Sequence, residues 1–205
     1  ELFKKPAFFS LPGYRVGEEN YRWMYPFWMG GYYGQLVDSG EGRTTSQGLL
    51  DLELEIAPEE AMQVYSLEVT MTDESGFPVS ARTEFRVHPA ENYIGVRPDT
   101  WLGQAGNEIS FEVLSVDWDA EAAPDLNLKA VFQEITWVRE AADDPYMPPE
   151  IVPQYRQISN AEFRTGPDGV ARLAFTPPEA GTYQLEIQGP GAAATQTLLW
   201  VGGQG

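Results

Sequence analysis

Cysteine is missing from the 205-residue sequence, and histidine occurs once, as His88. Without thiols there can be no disulfide, no thiolate metal site, no cysteine nucleophile and no thioester built on cysteine. A single imidazole excludes two-histidine metal sites and leaves one candidate base for a serine triad. His88 lies at a strand end before Pro89, where a structural role fits better. Basic residues are scarce: 13 Lys and Arg face 31 Asp and Glu, for a formal net charge of −18. Such a charge repels nucleic acid phosphates and anionic headgroups across a Debye length of about 8 Å. Nucleic acid is therefore not a natural partner. No apolar run reaches the roughly 18 residues of a membrane span, so direct membrane insertion is not expected either. The asparagines at 20, 92, 107, 127 and 160 are followed two places later by Arg, Ile, Ile, Lys and Glu, so no N-glycosylation sequon exists. Neither a Gly-x-Ser-x-Gly elbow nor a phosphate-cradling glycine loop is present. Nothing selects a catalytic pair from the 31 acids. No catalytic, cofactor-binding or metal-ligating residue is assigned, and no cofactor is expected.

What remains is a composition suited to a folded, soluble-surfaced chain, with 42% hydrophobic and 21% charged residues. The length allows one or two domains. Apolar and polar residues alternate in several stretches, as half-buried strands require. In the first half these are Leu50, Leu52, Leu54 and Ile56, then Tyr65 to Met71, then Ala81 to Val87, which together read as a meander. In the second half they are Ile109 to Val113, Leu126 to Phe132, Ala171 to Phe175, Tyr183 to Ile187 and Thr195 to Val201. Gly and Pro fall between these runs and supply turns at sandwich spacing. One helical turn is expected near Pro58-Glu59-Glu60-Ala61-Met62. The fold class is all-β, with Leu52, Leu67, Phe85, Phe111, Leu173 and Leu185 expected in the cores.

An internal repeat divides the chain. Arg43-Thr44-Thr45-Ser46-Gln47-Gly48 aligns with Arg164-Thr165-Gly166-Pro167-Asp168-Gly169, an offset of 164 − 43 = 121. The alternating run that follows keeps the offset, placing Leu52 on Leu173 and Leu54 on Phe175. Tyr65, Leu67 and Val69 match Tyr183, Leu185 and Ile187 at 183 − 65 = 118. Two tandem antiparallel sandwiches are therefore expected, in residues 1–91 and 92–205. The second has Tyr93 to Arg97 and Ile109 to Trp118 ahead of its shared part. The first has no counterpart of either, so it is expected to lack about two N-terminal strands and the chain to be an internal piece of a longer protein.

Three further features stand out. Tyr21, Trp23, Tyr25, Phe27, Trp28, Tyr32 and Tyr33 offer either a stacking platform or an edge hairpin covering a core. Asp117, Asp119, Glu121 and Asp125 have the spacing of cation-wrapping oxygens. A calcium loop would also need Gly and Glu where Ala122 and Leu128 stand, so a solvated turn is expected. The acidic, proline-rich stretch from Glu140 to Pro153 reads as irregular loop. Its Pro145-x-x-Pro148 is open to a polyproline II or protease-sensitive role.

Thr72-Asp73-Glu74-Ser75-Gly76-Phe77-Pro78-Val79-Ser80-Ala81-Arg82, Val87-His88-Pro89-Ala90 and Tyr93-Ile94-Gly95-Val96-Arg97-Pro98 resemble the junction between consecutive macroglobulin-like domains of bacterial alpha-2-macroglobulins. Gly103-Gln104-Ala105-Gly106, Val116-Asp117-Trp118, Gly166 to Ala171, Phe175 to Tyr183 and Leu199-Trp200-Val201 resemble the domain that follows. The resemblance implies two macroglobulin-like Ig-type sandwiches forming a scaffold portion of a protease trap that acts after cleavage of a bait segment. It implies no enzyme activity, a periplasmic or extracellular envelope location, and two kinds of partner: neighbouring domains of the parent chain, and target proteases met through the full-length protein. The Cys-Gly-Glu-Gln thioester of many members is absent from this chain. The competing class is a stand-alone surface binding or adhesion module for carbohydrate or protein, with the aromatic cluster as its site.

Overall fold

The computed structural model describes residues 1–17, 34–72, 75–140 and 149–203. These form an all-β protein whose strands fall into two sheets. Among the described residues no helix is long and apolar enough to cross a membrane. The strands are β1 (Leu2–Pro6), β2 (Arg15–Val16), β3 (Gln35–Asp38), β4 (Gln63–Thr72), β5 (Pro78–Val87), β6 (Asn92–Pro98) and β7 (Leu102–Gln104). The rest are β8 (Ile109–Val116), β9 (Asn127–Glu140), β10 (Glu150–Arg164), β11 (Val170–Phe175), β12 (Gly181–Gly189) and β13 (Ala192–Gly202).

The chain divides into two compact units. Residues 1–9 and 34–89 of the described chain belong to the first, residues 10–17 and 90–203 to the second. Segment 10–17 thus packs with the second unit although it precedes most of the first.

The first unit holds one antiparallel sheet in the order β3-β1-β4-β5. Its long hairpin puts Tyr65 opposite Phe85 and Val69 opposite Ala81. The Tyr65 and Phe85 rings stack with centroids 5.4 Å apart. Leu2, Met62 and Tyr65 are the buried apolar residues of this unit among those described.

The second unit is built in two layers. In one, β12 carries Tyr183, Leu185 and Ile187 inward, flanked by Glu134, Phe132 and Ala130 of β9 and by Leu199, Thr197 and Thr195 of β13. In the other, Ile109, Phe111 and Val113 of β8 face the core, paired with Phe175, Leu173 and Ala171 of β11. Their aromatic rings meet between the layers: Phe132 lies 4.4 Å from Phe175 and 5.7 Å from Phe111, centroid to centroid. The period-two pattern selects these residues because only alternate side chains reach the space between the layers. The layers join where Ala192 and Ala193 of β13 pair in parallel with Asn92 and Tyr93 of β6. A second parallel contact links β13 to β7, so the unit is not purely antiparallel as expected.

Several sequence expectations need correction. Residues 50–56 are in no strand, and among the described residues they have no ladder partner. Leu52 is accordingly 52% exposed, although it was expected in a core. Alternation supplies a strand-compatible surface, but a strand also needs a neighbour for its backbone groups. The meander therefore reduces to the β4–β5 hairpin. Leu67, Phe85 and Leu173 are only half-buried, whereas Phe111 and Leu185 are fully buried. The expected turn of helix at 58–62 is a bend. There Glu59 is held by tertiary partners, accepting hydrogen bonds from Lys4 Nζ at 2.8 Å and Tyr65 OH at 2.5 Å. Residues 150–153, expected as irregular loop, begin β10 and pair with 137–140 of β9. Pro153 lies in a strand that ends the sheet order and pairs with β9 alone, and sheet edges are where proline is tolerated.

The repeated turn has the same hydrogen bonds in both copies. Thr45 N donates to Leu49 O at 2.8 Å and Gly48 N to Thr45 O at 2.9 Å. At the same offset of 121, Gly166 N donates to Val170 O at 2.8 Å and Gly169 N to Gly166 O at 3.0 Å. Gly48 and Gly169 both adopt positive φ, +78° and +75°, a region in which a Cβ is strained.

Candidate functional site

A row of charged side chains lies on the outward face of β6, β8 and β11. Register puts Arg97 opposite Glu112 and Glu112 opposite Arg172, and outward positions of neighbouring strands stand in a row. Arg97 Nη2 reaches Glu112 Oε1 at 2.5 Å, and Arg172 Nη2 reaches Oε2 at 3.5 Å. Tyr14 comes from segment 10–17 and donates its hydroxyl to the same Oε1 at 2.6 Å. The Arg97 guanidinium stands 4.9 Å from the Tyr14 ring centroid, within cation–π range.

Segment 10–17 is fixed there by its backbone. Arg15 and Val16 pair with Val96 and Gly95. Gly17 N donates to Thr195 Oγ1 at 2.9 Å, while that buried hydroxyl donates to Ile94 O at 2.6 Å. Glycine at 95 permits the crossing, since a Cβ there would come within 2.7 Å of Leu11 and 3.0 Å of Tyr14.

A half-open cleft of about 410 Å³ adjoins this row, lined by Arg97, Asp99, Phe111, Glu112, Arg172 and Leu173 among others. The hydrogen bond from Tyr14, aided by the two guanidiniums, holds the Glu112 carboxyl below its usual range against the opposing effect of burial. Burial, then the bond to Glu112, pushes the Tyr14 phenol up. An acid kept ionised and a phenol kept protonated have no proton to exchange near neutrality. The arrangement therefore acts as an electrostatic clasp between segment 10–17 and the sheet.

The acidic turn uses its first carboxylate internally. Asp117 Oδ1 accepts from the backbone N–H of Asp119 at 2.9 Å and of Glu121 at 3.0 Å. Asp125 turns to Arg164, with Oδ1 3.3 Å from Nε. Among the described residues, no three His, Cys, Asp or Glu side chains are grouped so as to hold a metal ion. Nearby, the buried Ser115 hydroxyl donates to Ala123 O at 2.6 Å, and Thr165 Oγ1 stands 3.1 Å away, accepting from Leu126 N at 3.0 Å. These contacts pin the repeated turn of the second unit to β8.

His88 directly follows β5 and is half-buried. The aromatic cluster Tyr21 to Tyr33 lies outside the described residues, as does Pro145-x-x-Pro148. The sequence reading missed Tyr14, Arg97, Glu112 and Arg172. Their signal is a row of opposite charges that exists only once the register is known.

No family model matches the sequence, and no curated protein matches it. Solved structures do. Native Escherichia coli alpha-2-macroglobulin aligns over 98% of this chain and 13% of its own, with a TM-score of 0.56 and 16% identity. Salmonella alpha-2-macroglobulin reacted with methylamine gives the same TM-score and identity over 98% of this chain and 14% of its own. Trypsin-activated Escherichia coli alpha-2-macroglobulin aligns over the same shares, at TM-score 0.55 and 18% identity. The chain spans about one seventh of those proteins, and across almost its whole length it has the fold of a stretch of bacterial alpha-2-macroglobulin.

Proposed function

We propose that the chain is a two-domain scaffold portion of a bacterial alpha-2-macroglobulin-like protease trap. The observation that carries this reading is the extent of the alignment: such proteins cover 98% of the chain at TM-scores of 0.55–0.56. In this reading the chain performs no catalysis. The charged row at Glu112 serves cohesion, with its ionised carboxylate and protonated phenol suited to holding segment 10–17 in place. Its partners are neighbouring domains of the parent polypeptide, and proteases are met through that polypeptide as a whole. Its location is the periplasm or the extracellular envelope. A related protein has been studied in a trypsin-activated state, which makes trypsin the natural probe.

The test is to incubate trypsin with the longer polypeptide that contains this chain and, separately, with residues 1–205 alone. The longer polypeptide should retain trypsin through gel filtration and block its action on a large protein substrate, while cleavage of a small peptide substrate persists. Residues 1–205 alone should neither retain nor inhibit trypsin. A longer polypeptide that is merely digested, with trypsin eluting free and fully active on large substrates, would overturn the proposal.

A further inference from the structure

Segment 10–17 sits on the second unit as a ligand does, outside its core. None of the fifteen residues of the buried apolar cluster comes from it. Its own sequence sets its shape. Leu11-Pro12-Gly13-Tyr14 closes a turn in which Tyr14 N donates to Leu11 O at 3.1 Å and Gly13 adopts a φ of +80°. Proline at the second position and a positive-φ glycine at the third are what a type II turn calls for. The turn brings Leu11 and Tyr14 side by side over Gly95, where they are the side chains an added Cβ would meet. Leu11 is buried as a result.

Beyond the turn the backbone bridges two strands that have parted. β13 pairs with β6 at Ala192 and Ala193, and past that point segment 10–17 stands between them. On one side Arg15 and Val16 pair antiparallel with Val96 and Gly95 of β6. On the other, Gly17 O accepts from Gln196 N of β13 at 3.1 Å, while Gly17 N donates to the Thr195 hydroxyl at 2.9 Å. Gly17 has a φ of +77°, which favours glycine there. The side chains add two ring contacts of opposite sense: the Arg97 guanidinium lies 4.9 Å from the Tyr14 ring centroid, and the Arg15 guanidinium lies 5.0 Å from that of Trp101. Tyr14 also donates to Glu112. Backbone pairing along a strand edge, with side chains set into flanking sites, is how strand addition recognises an extended peptide.

We propose that the second unit carries a peptide-recognition groove between β6 and β13, of which segment 10–17 is the intramolecular occupant. The groove takes an extended peptide of another protein that presents an apolar residue, a Pro-Gly turn, Tyr-Arg, and glycine two places after the arginine. Tethering holds the native segment at an effective concentration on the order of millimolar, so a partner peptide enters by competing with it. The inference goes beyond the scaffold reading and does not depend on protease trapping.

The probe is a synthetic peptide of residues 10–17, blocked at both ends, labelled and followed by fluorescence anisotropy. Its acceptor is the 205-residue chain carrying Leu11→Ala and Tyr14→Ala, which weaken the occupant in cis and leave the buried cluster untouched. The peptide should bind this variant at least about tenfold more tightly than it binds the native chain. Tyr14→Ala in the peptide, or Gly95→Val added to the acceptor, should each weaken binding by about tenfold or more. Hydrogen exchange on the native chain gives a test without substitution: the amides of Gly17 and Gln196 should exchange through local opening, at least about tenfold faster than those of Leu185 and Ile187. Failure of the peptide to bind the doubly substituted chain would overturn the proposal, as would binding indifferent to Gly95→Val. Exchange of Gly17 and Gln196 only together with the core would overturn it equally. So would loss of β12 and β13 in the doubly substituted chain, because a segment that the core needs is not a detachable ligand.

Discussion

Glu59 shows how a residue that looks like helix former in sequence is recruited by tertiary chemistry. Its Oε1 accepts from Lys4 and Tyr65, and these bonds outweigh burial to hold its carboxyl below the usual value. A group whose folded pKa is depressed contributes stability above its unfolded value of about 4.3 that is lost as pH falls through the folded pKa. The first unit should therefore weaken steeply below about pH 4.3 in the native sequence and less steeply in Glu59→Gln. At neutral pH that substitution should cost about 1–2 kcal/mol, since it removes a charge from two hydrogen bonds. Tyr65 moves oppositely, to about 12, because burial and then Glu59 favour the neutral phenol. Its contribution is intact below about pH 10 and is lost as pH rises toward 12. Urea titrations across pH, read on the first unit, check both limbs; an acid limb unchanged in Glu59→Gln would contradict the assignment. None of this was legible beforehand, because Lys4 and Glu59 are 55 positions apart. The Arg97–Glu112–Arg172 row was hidden for the same reason.

At the scale of elements, the sequence pattern identified the strands whose alternate residues fill the space between the layers: β8, β9, β11, β12 and β13. It failed at 50–56, where the alternation is as clean as anywhere but no partner strand is at hand. It also missed the whole of β10, where no strand was expected, and misread its start because proline tolerance depends on edge position, which local composition does not record. The repeated turn offers a controlled comparison of the same backbone in two surroundings. A Cβ at Gly48 meets nothing within 4 Å, whereas one at Gly169 comes within 2.6 Å of Ser115 O. Gly48→Ala should therefore cost only the left-handed conformation, about 1–2 kcal/mol. Gly169→Ala must in addition push the turn off β8 and should cost roughly 3 kcal/mol or more. Chemical denaturation of each variant, followed by probes in its own unit, measures the difference. Equal losses would mean that the contact at Ser115 relaxes freely.

The molecule as a whole has two units of unequal cores. Fifteen residues from Ile94 to Val201 form the buried apolar cluster, all in the second unit, whereas the first contributes Leu2, Met62 and Tyr65 as buried apolar residues among those described. A large side chain fully buried stabilises by about 1.5–3 kcal/mol, against a net domain stability of about 5–15 kcal/mol. A deficit of this many side chains cannot be offset by the two part-buried hydrogen bonds at Glu59, each contributing at most about 1.5–3 kcal/mol. Backbone ordering costs each residue a similar entropy in either unit, so the disparity in burial passes directly into stability. Heating residues 1–205 should therefore give two transitions. Dispersed nuclear magnetic resonance signals of β4 and β5 should vanish at a lower temperature than those of β12 and β13. Leu185→Ala should lower only the second transition, by about 2–5 kcal/mol of stability. A single transition in which both sets vanish together, shifted as a whole by Leu185→Ala, would show that the first unit draws its stability from somewhere other than its own sheet.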